Sequence, residues 1–424
     1  MTRAQPHASR AAIVAWCFYD WANSAFPTVV TTFVFSAYVV RGVAADVEQG
    51  TAAWAQMLAV SGIATAILSP ALGAIADRTG RRKPWIFVFS AICIVAGGLL
   101  WFVQPSPDYL VFGLILAGIA SIGFELATVF YNAMLPDLVP PDRIGRWSGW
   151  AWGIGYAGGL LCLVVALVAL VQAPEPWFGL DKSQAEHVRA VAPLTAIWFA
   201  VFALPLFLLT PDRPRTAVRA LDAARQGLVQ LWQTIRHLRQ EANVARFLAA
   251  RLFYIDALNT LFAFGGIYAA GTFGMGFDEV IVFGIALNVT AGLGAAGFAW
   301  IDDRIGAKAT ILIAILGLIA FGIAVLIAES KTWFWVFGLG IGIFIGPAQA
   351  ASRSLMARLA PPARESEMFG LFALSGKITS FLGPAALAWA TVAFDSQRAG
   401  MATIIVFFVI GLLILISVRE RRTP

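Results

Sequence analysis

Two acids sit where acids are costly. Asp20 lies in Phe18-Tyr19-Asp20-Trp21-Ala22-Asn23-Ser24-Ala25-Phe26, and Asp256 in Phe253-Tyr254-Ile255-Asp256-Ala257-Leu258-Asn259-Thr260-Leu261-Phe262. In each, an Asn follows the Asp by three residues and a Phe by six, inside an apolar run long enough to cross a membrane. A carboxylate in hydrocarbon marks a functional site by default. Glu125, Arg251, Arg353 and Lys377 share such surroundings. A carboxylate that alternates between a dry pocket and a cationic neighbour takes up and releases a proton, and an Arg holds a carboxylate through two parallel bonds. These residue types therefore suit the joint movement of a proton and an anionic or zwitterionic solute. The competing reading is a set of static ion pairs that fix helix register or close one end of a pore. Arg251, at the start of its run, reads as an edge residue that snorkels to the membrane surface.

The elements that position these groups are membrane helices. Of the 424 residues 59% are hydrophobic and 13% charged, against about 25% charged in a soluble domain. A helical span needs roughly 20 apolar residues. Twelve candidates occur, at 12–40, 53–76, 85–104, 109–133, 148–172, 191–209, 245–273, 279–301, 307–328, 333–352, 368–391 and 400–418. Bare backbone is not tolerated in lipid, so the runs are helices; they are too long and uniformly apolar for barrel strands. On span one Asp20, Asn23, Pro27 and Thr31 share one face. Lys and Arg cluster on one side of the spans, among them Arg3, Arg10, Arg78, Arg81, Arg82, Lys83, Arg143, Arg146, Arg304, Lys308, Arg358, Arg364, Arg421 and Arg422. The positive-inside rule makes that side, and both termini, cytoplasmic, in the inner (plasma) membrane.

The chain divides into six spans over 1–210, a connecting segment at 211–244, and six spans over 245–424. In the connector Leu221, Ala224, Leu228, Leu231, Ile235 and Leu238 recur at helical spacing with Arg225, Arg236 and Arg239 between them, the pattern of an amphipathic helix on the inner membrane surface. The halves repeat further landmarks. Gly73-Ala-Ile-Ala-Asp77-Arg78-Thr-Gly80-Arg81-Arg82 after span two corresponds to Asp303-Arg304-Ile305-Gly306-Ala307-Lys308 after span eight, and Leu138-Val-Pro140-Pro141-Asp-Arg143 to Leu359-Ala-Pro361-Pro362-Ala-Arg364. Matched landmarks in matched order imply an internal duplication, an arrangement many secondary transporters share. Gly73 permits close helix approach and Gly80 a tight turn. Asp77 with Arg78 and Arg81, and Asp303 with Arg304 in the second copy, suit ion pairs across a helix interface that hold one conformation and break in another.

The Gly-x-x-x-Asp-Arg-x-Gly-Arg-Arg loop resembles the signature of the major facilitator superfamily. Three segments are similar to one narrower family within it, the autophagy-related vacuolar effluxer-like permeases: Tyr19 to Phe26; Tyr131-Asn132-Ala-Met-Leu-Pro-Asp137 with Gly145-Arg-Trp-Ser-Gly149 and Gly155-Tyr156-Ala-Gly-Gly159; and Gly346-Pro-Ala-Gln349-Ala-Ala-Ser-Arg353-Ser-Leu355 with Ser375-Gly-Lys377. The resemblance implies an all-α integral membrane protein, with twelve transmembrane helices in two pseudo-symmetric six-helix bundles. It also implies that helices one, four, seven and ten line a central cavity. Asp20, Glu125, Asp256 and Arg353 fall on those four. The expected substrate and proton cavity comprises Asp20, Asn23, Glu125, Tyr131, Asn132, Tyr156, Asp256, Asn259, Gln349, Arg353 and Lys377. Asp20 or Glu125 is the expected proton carrier, while Arg353 and Lys377 hold anionic groups. Some fungal relatives export amino acids from the vacuole, which favours an amino acid or similar zwitterion; a sugar, peptide, drug or other organic solute is the alternative cargo.

Other signals point away from other classes. Cys17, Cys93 and Cys162 lie inside apolar runs, and His7, His187 and His237 are isolated, so neither a disulfide framework nor a metal site is expected. Gly153-x-Gly155-x-x-Gly158 and Gly292-x-Gly294-x-x-Gly297 match a dinucleotide fingerprint only as text; inside apolar helices they are small-residue packing faces. No phosphate-binding loop appears. The expectation is a monomeric, proton-coupled permease of a small solute in the lipid bilayer, with no cofactor and no nucleic-acid partner. An intramembrane lipid enzyme lacks a nucleophile and base. A receptor or lipid scramblase on the same fold is the remaining non-transporting alternative.

Overall fold

The structure, a computed structural model, describes residues 8–218, 220–236 and 241–420. Arg3, His7, His237, Leu238, Arg239, Arg421 and Arg422 lie outside the described residues. Every regular element among the described residues is a helix. Eleven helices are long and apolar enough to span a membrane: α1 (Arg10–Val43), α2 (Val47–Thr79), α3 (Lys83–Phe102), α4 (Pro107–Leu138), α5 (Pro141–Val171), α6 (Glu186–Leu209), then, after the connecting helix α7 (Ala220–Arg236), α8 (Ala242–Phe273), α9 (Asp278–Ile305), α10 (Ala307–Ile327) and α11 (Lys331–Leu359), and finally α14 (Gln397–Ile416). Between the last two lie α12 (Glu365–Ser375) and α13 (Leu382–Ala393).

The expected single span at 368–391 is thus two half-helices with turns across 376–381. The physical reason is Pro384. It lacks an N–H, and in a continuous helix its ring would clash with the carbonyl of Ser380, four residues back. Within α1, π-helical turns run over Phe26–Phe33, just where Pro27 removes a donor. The hydroxyls of Thr28 and Thr31 there donate to the Ser24 and Pro27 carbonyls at 2.7 and 2.8 Å, the kind of local repair that lets proline-bearing helices persist in lipid.

The chain forms two compact units. The first contains Met1–Leu68, Arg81–Tyr131 and Ile154–Pro214; the second contains Ser69–Gly80, Asn132–Gly153 and Arg215–Pro424. This differs from the division at 211–244, because two short segments of the first half, at the ends of α2, α4 and α5, cluster with the second. In the first unit α5 lies tight on α1: a Cβ on Gly158 would strike the Trp21 carbonyl, and one on Gly155 would come within 2.8 Å of Ser24 Oγ. The outward faces stay apolar. Val60, Ile63 and Ile67, at helical spacing on α2, are each 60% exposed or more, a face that suits lipid rather than water.

In the second unit α9 and α11 approach to backbone contact. A Cβ on Gly294 would strike the Ile343 carbonyl, and one on Gly346 the Ala291 carbonyl. Gly294 therefore serves helix packing, as read from the sequence. Gly294→Val should force the helices apart and destabilise the protein by about 1–3 kcal/mol, seen as a lowered thermal unfolding midpoint of the purified protein. The connector α7 turns its small and polar side inward: Ala223, Gly227 and Thr234 are buried, and Gly227 abuts the backbone of Ala74 and Ile75. Leu221, Leu228 and Trp232 remain exposed.

Candidate functional site

The repeated loops build one device twice. Asp77, at the end of α2, accepts hydrogen bonds from the backbone N–H groups of Ser366 and Glu367 at 3.0 and 2.8 Å. It therefore caps the N-terminus of α12, where an anion meets unsatisfied donors and the positive end of the helix dipole. Gly73, one turn earlier, leaves room only for itself against the Ser366 carbonyl, and Gly370 likewise against Ser69. In the second copy Asp303, at the end of α9, accepts from the Arg146 N–H at 3.0 Å near the N-terminus of α5. Its other oxygen lies 3.2 Å from Arg146 Nε. Here the small residue is on the opposite helix: Ala299 stands where the first copy has Gly73, and Gly149 meets it. Gly80 and Gly306 both take positive φ, 84° and 95°, a backbone open to glycine at little cost.

A second capped pair follows. Asp212, after α6, accepts from the Arg82 and Lys83 N–H groups at 2.9 and 3.2 Å. Glu420, after α14, accepts from those of Ala307 and Lys308, both at 3.0 Å. Lys83 Nζ donates to the Phe207 carbonyl and Lys308 Nζ to the Ile416 carbonyl. Arg358 joins the second set. Its Nη1 lies 2.8 Å from Asp302 Oδ1 and 3.0 Å from Glu420 Oε1, and its Nη2 3.9 Å from Asp303 Oδ1. Arg304 lines the adjoining recess with Asp142; Arg81 lines a recess beside Lys83 and Asp212. The Arg78 carbonyl accepts from Thr216 Oγ1 at 2.6 Å. Gln230 Nε2 of α7 donates to Glu367.

The residues expected to line a cavity divide between the units. The first holds Asp20, Asn23, Glu125, Tyr131 and Tyr156; the second holds Asn132, Asp256, Asn259, Gln349, Arg353 and Lys377. Asp20 and Asn23 are buried, 8% and 3% exposed, and Glu125 is half-buried. Tyr131 is enclosed, its ring stacked 4.6 Å from Trp16 and 4.7 Å from Tyr19, which is a packing position. Arg353 is brought to Asn132 and α5. Nε donates to Ser148 Oγ at 2.9 Å, Nη2 to the Ser148 carbonyl at 2.7 Å and Nη1 to Asn132 Oδ1 at 3.2 Å. Lys377 and the Asn259 contact with the Gly376 carbonyl (3.4 Å) belong to the break between α12 and α13.

Arg251 corrects the sequence reading. It does not snorkel. It is 9% exposed, its guanidinium lies 3.5 Å from the Phe372 ring centre, and Nη1 donates to the Phe372 carbonyl and to Ser375 Oγ at 2.5 and 2.8 Å. A cation thus sits at the C-terminal end of α12, where the dipole favours it.

The family described as "Vacuole effluxer Atg22 like" matches residues 39–423 of this sequence. The chain belongs to the Atg22-like family. Among curated relatives, a Bacillus subtilis protein named uncharacterized MFS-type transporter YxiO is 28% identical over 417 residues, covering 96% of this chain and 94% of that one. Autophagy-related protein 22 of Kluyveromyces lactis is 23% identical over 345 residues, 74% and 68% of the two chains. Among solved structures, the major facilitator proton:xylose symporter XylE superposes with a TM-score of 0.72 at 14% identity, over 97% of this chain and 96% of that one. The fold is therefore the major facilitator fold of twelve membrane helices, with α12 and α13 together making the eleventh. Family and fold are those of integral membrane transporters rather than enzymes.

For this Atg22-like chain the sequence reading missed Asp212 and Glu420 as caps, Arg358 as the hub of three acids, and Ser148 as the acceptor for Arg353. The first two had a signal. Each is an acid a few residues past the end of the sixth span of its half, Asp212 after Leu209 and Glu420 after Ile416.

Proposed function

We propose that the protein is a secondary active transporter of a small polar solute, coupled to protons, with an amino acid or related zwitterion as cargo. It works as a monomer in the inner (plasma) membrane with both termini cytoplasmic, by rocking of the 1–210 and 245–424 halves about the 211–244 connector. The observation that carries this reading is the matched cap pair, Asp77 on the N-terminus of α12 and Asp303 on that of α5. Each cap joins an element of one repeat to an element of the other. Each is a charge-assisted contact that is made or lost as a unit, as a conformational switch requires. With the basic side cytoplasmic, these caps form the inner gate in its closed state. Arg353, engaged by Ser148 and Asn132 here, belongs to the same closure and turns to the substrate carboxylate when the gate opens, with Lys377 as the second cationic group. The buried Asp20 and Asp256 and the half-buried Glu125 are the candidate proton carriers. The exposed apolar side of α7 lies on the inner membrane surface. The zwitterionic cargo is supported by the vacuole-effluxer description of the family together with the mixed acids and bases.

The test is purified protein in liposomes with a mixture of labelled amino acids. An imposed pH gradient should drive uptake above that of protein-free vesicles, and a protonophore should abolish it. Saturable binding without gradient-driven uptake would show facilitated diffusion instead.

A further inference from the structure

The break in the eleventh span creates two helix ends inside the second unit. α12 leaves carbonyls without intrahelical partners and α13 leaves N–H groups, with opposite partial charges. α8 supplies both counter-charges five residues apart: Arg251 at the carbonyl end and Asp256 at the N–H end. The two are engaged to different degrees. Arg251 bonds a carbonyl and a hydroxyl and stacks on Phe372. Asp256 Oδ2 accepts one hydrogen bond, from the Gly383 N–H at 2.9 Å. Its Oδ1 has no hydrogen-bond partner among the described residues, although the residue is only 2% exposed. Thr260 does not supply a donor, because its hydroxyl is given to the main-chain carbonyl of Asp256 at 2.8 Å. Gly383 packs directly on this group: a Cβ there would strike the Thr260 hydroxyl and stand 3.2 Å from Oδ1. A buried carboxylate oxygen with no partner is costly, and a bound proton removes that cost.

Resting on the proton-coupled reading above, we propose that Asp256 Oδ1 is a binding site for the coupling proton, and that its occupancy sets how firmly the N-terminus of α13 is held to α8. The proton forms one O–H bond at Oδ1 and neutralises the carboxylate. The Gly383 N–H then faces a neutral acid instead of an anion, and a charge-assisted bond becomes an ordinary, weaker one. α13 is freed at its N-terminus, while Arg251 continues to hold the end of α12. Such discontinuous helices, with ion sites at their broken ends, recur in transporters. A proton needs only the one free oxygen, whereas a metal cation needs several oxygen ligands. The charged and titratable groups on the packed elements are Arg246, Arg251, Tyr254 and Tyr268 on α8, Lys377 in the break, Glu365 and Glu367 on α12, Lys331, Arg353 and Arg358 on α11, and Arg398 on α14. Tyr254 is bonded to Ser352, Glu367 to Arg364, and Arg398 to the Leu326 and Ala328 carbonyls.

The experiment uses the full chain in lipid nanodiscs, with protons as the probe. pH-difference infrared spectra of the wild type should contain a protonated-carboxyl band that is lost in Asp256→Asn. Amide exchange in the 376–387 segment, corrected for intrinsic chemistry, should rise on acidification in the wild type, and be high and pH-independent in the variant. Asp256→Glu should keep the band at a shifted frequency, so the assignment survives if Asp256→Asn does not fold. A band that persists in Asp256→Asn and is unmoved in Asp256→Glu overturns the proposal, as does an exchange response to pH that is unchanged in Asp256→Asn. Protection of the segment by sodium over choline at fixed pH also overturns it, in favour of a metal cation. If both pH responses appear but a pH gradient drives no solute uptake, the titration of Asp256 stands and the proton-coupled reading is what fails.

Discussion

Arg358→Leu should be the most damaging single substitution in the chain. The guanidinium is 14% exposed and faces three acids: Asp302, 4% exposed, Asp303, 6%, and Glu420, 9%. Removing one partner of a buried ionic cluster leaves the others uncompensated, which costs about 3–5 kcal/mol. The expected result is a large fall in the unfolding midpoint and in the yield of monodisperse protein. Arg358→Lys should recover less than half of the loss, because an ammonium is a point charge without the planar fork that reaches several carboxylates. Added salt should change the wild-type midpoint little, since buried pairs are weakly screened. A midpoint for Arg358→Leu within experimental error of the wild type would show that the cluster contributes nothing to the fold.

Asp77→Ala should have the largest effect on conformation. It removes two hydrogen bonds to an ionised acceptor, each worth about 1.5–3 kcal/mol. Loss of about 1.4 kcal/mol already shifts a two-state equilibrium tenfold. Under the gating reading the variant stays folded but favours the open inner gate, and solute uptake falls tenfold or more. Ser366 is fully buried in this structure, so Ser366→Cys offers a direct readout in a background without Cys17, Cys93 and Cys162. Maleimide should label it slowly with Asp77 present and at least tenfold faster in Asp77→Ala. Asp77→Asn, which keeps one acceptor oxygen, should fall between. Equal labelling rates would mean that Asp77 does not hold the gate.

Both predictions rest on contacts that differ in how far the sequence revealed them. Asp77 and Asp303 were legible because the chain carries their surroundings twice: an Asp-Arg pair followed by a glycine, after the second span of each half. What each carboxylate touches was not legible. The sequence suggested ion pairs with nearby arginines; the structure gives Asp303 one with Arg146 and also has Asp77 accept from backbone N–H groups nearly 290 positions away. Main-chain donors leave no trace in residue type, so a capping partner distant in sequence cannot be read from composition. Arg251 shows the same limit. Its place at the start of an apolar run fits a snorkelling residue, and only the packing of α12 on α8 puts its guanidinium under Phe372.

The sequence by itself determined that this protein lives in a membrane, that its two halves repeat the same landmarks in the same order, and where its costly charges stand. It did so because hydrophobic run length, the Lys and Arg bias, and repeated landmarks are local or additive properties of a chain. Tertiary structure alone decided which acid serves which helix end, that Arg353 reaches Asn132 and Ser148, and that the broken eleventh span is held by Arg251 and Asp256 from α8. Those are choices among partners more than a hundred residues apart. In a medium with no water to satisfy a freed amide or a buried charge, such choices are made by the fold as a whole.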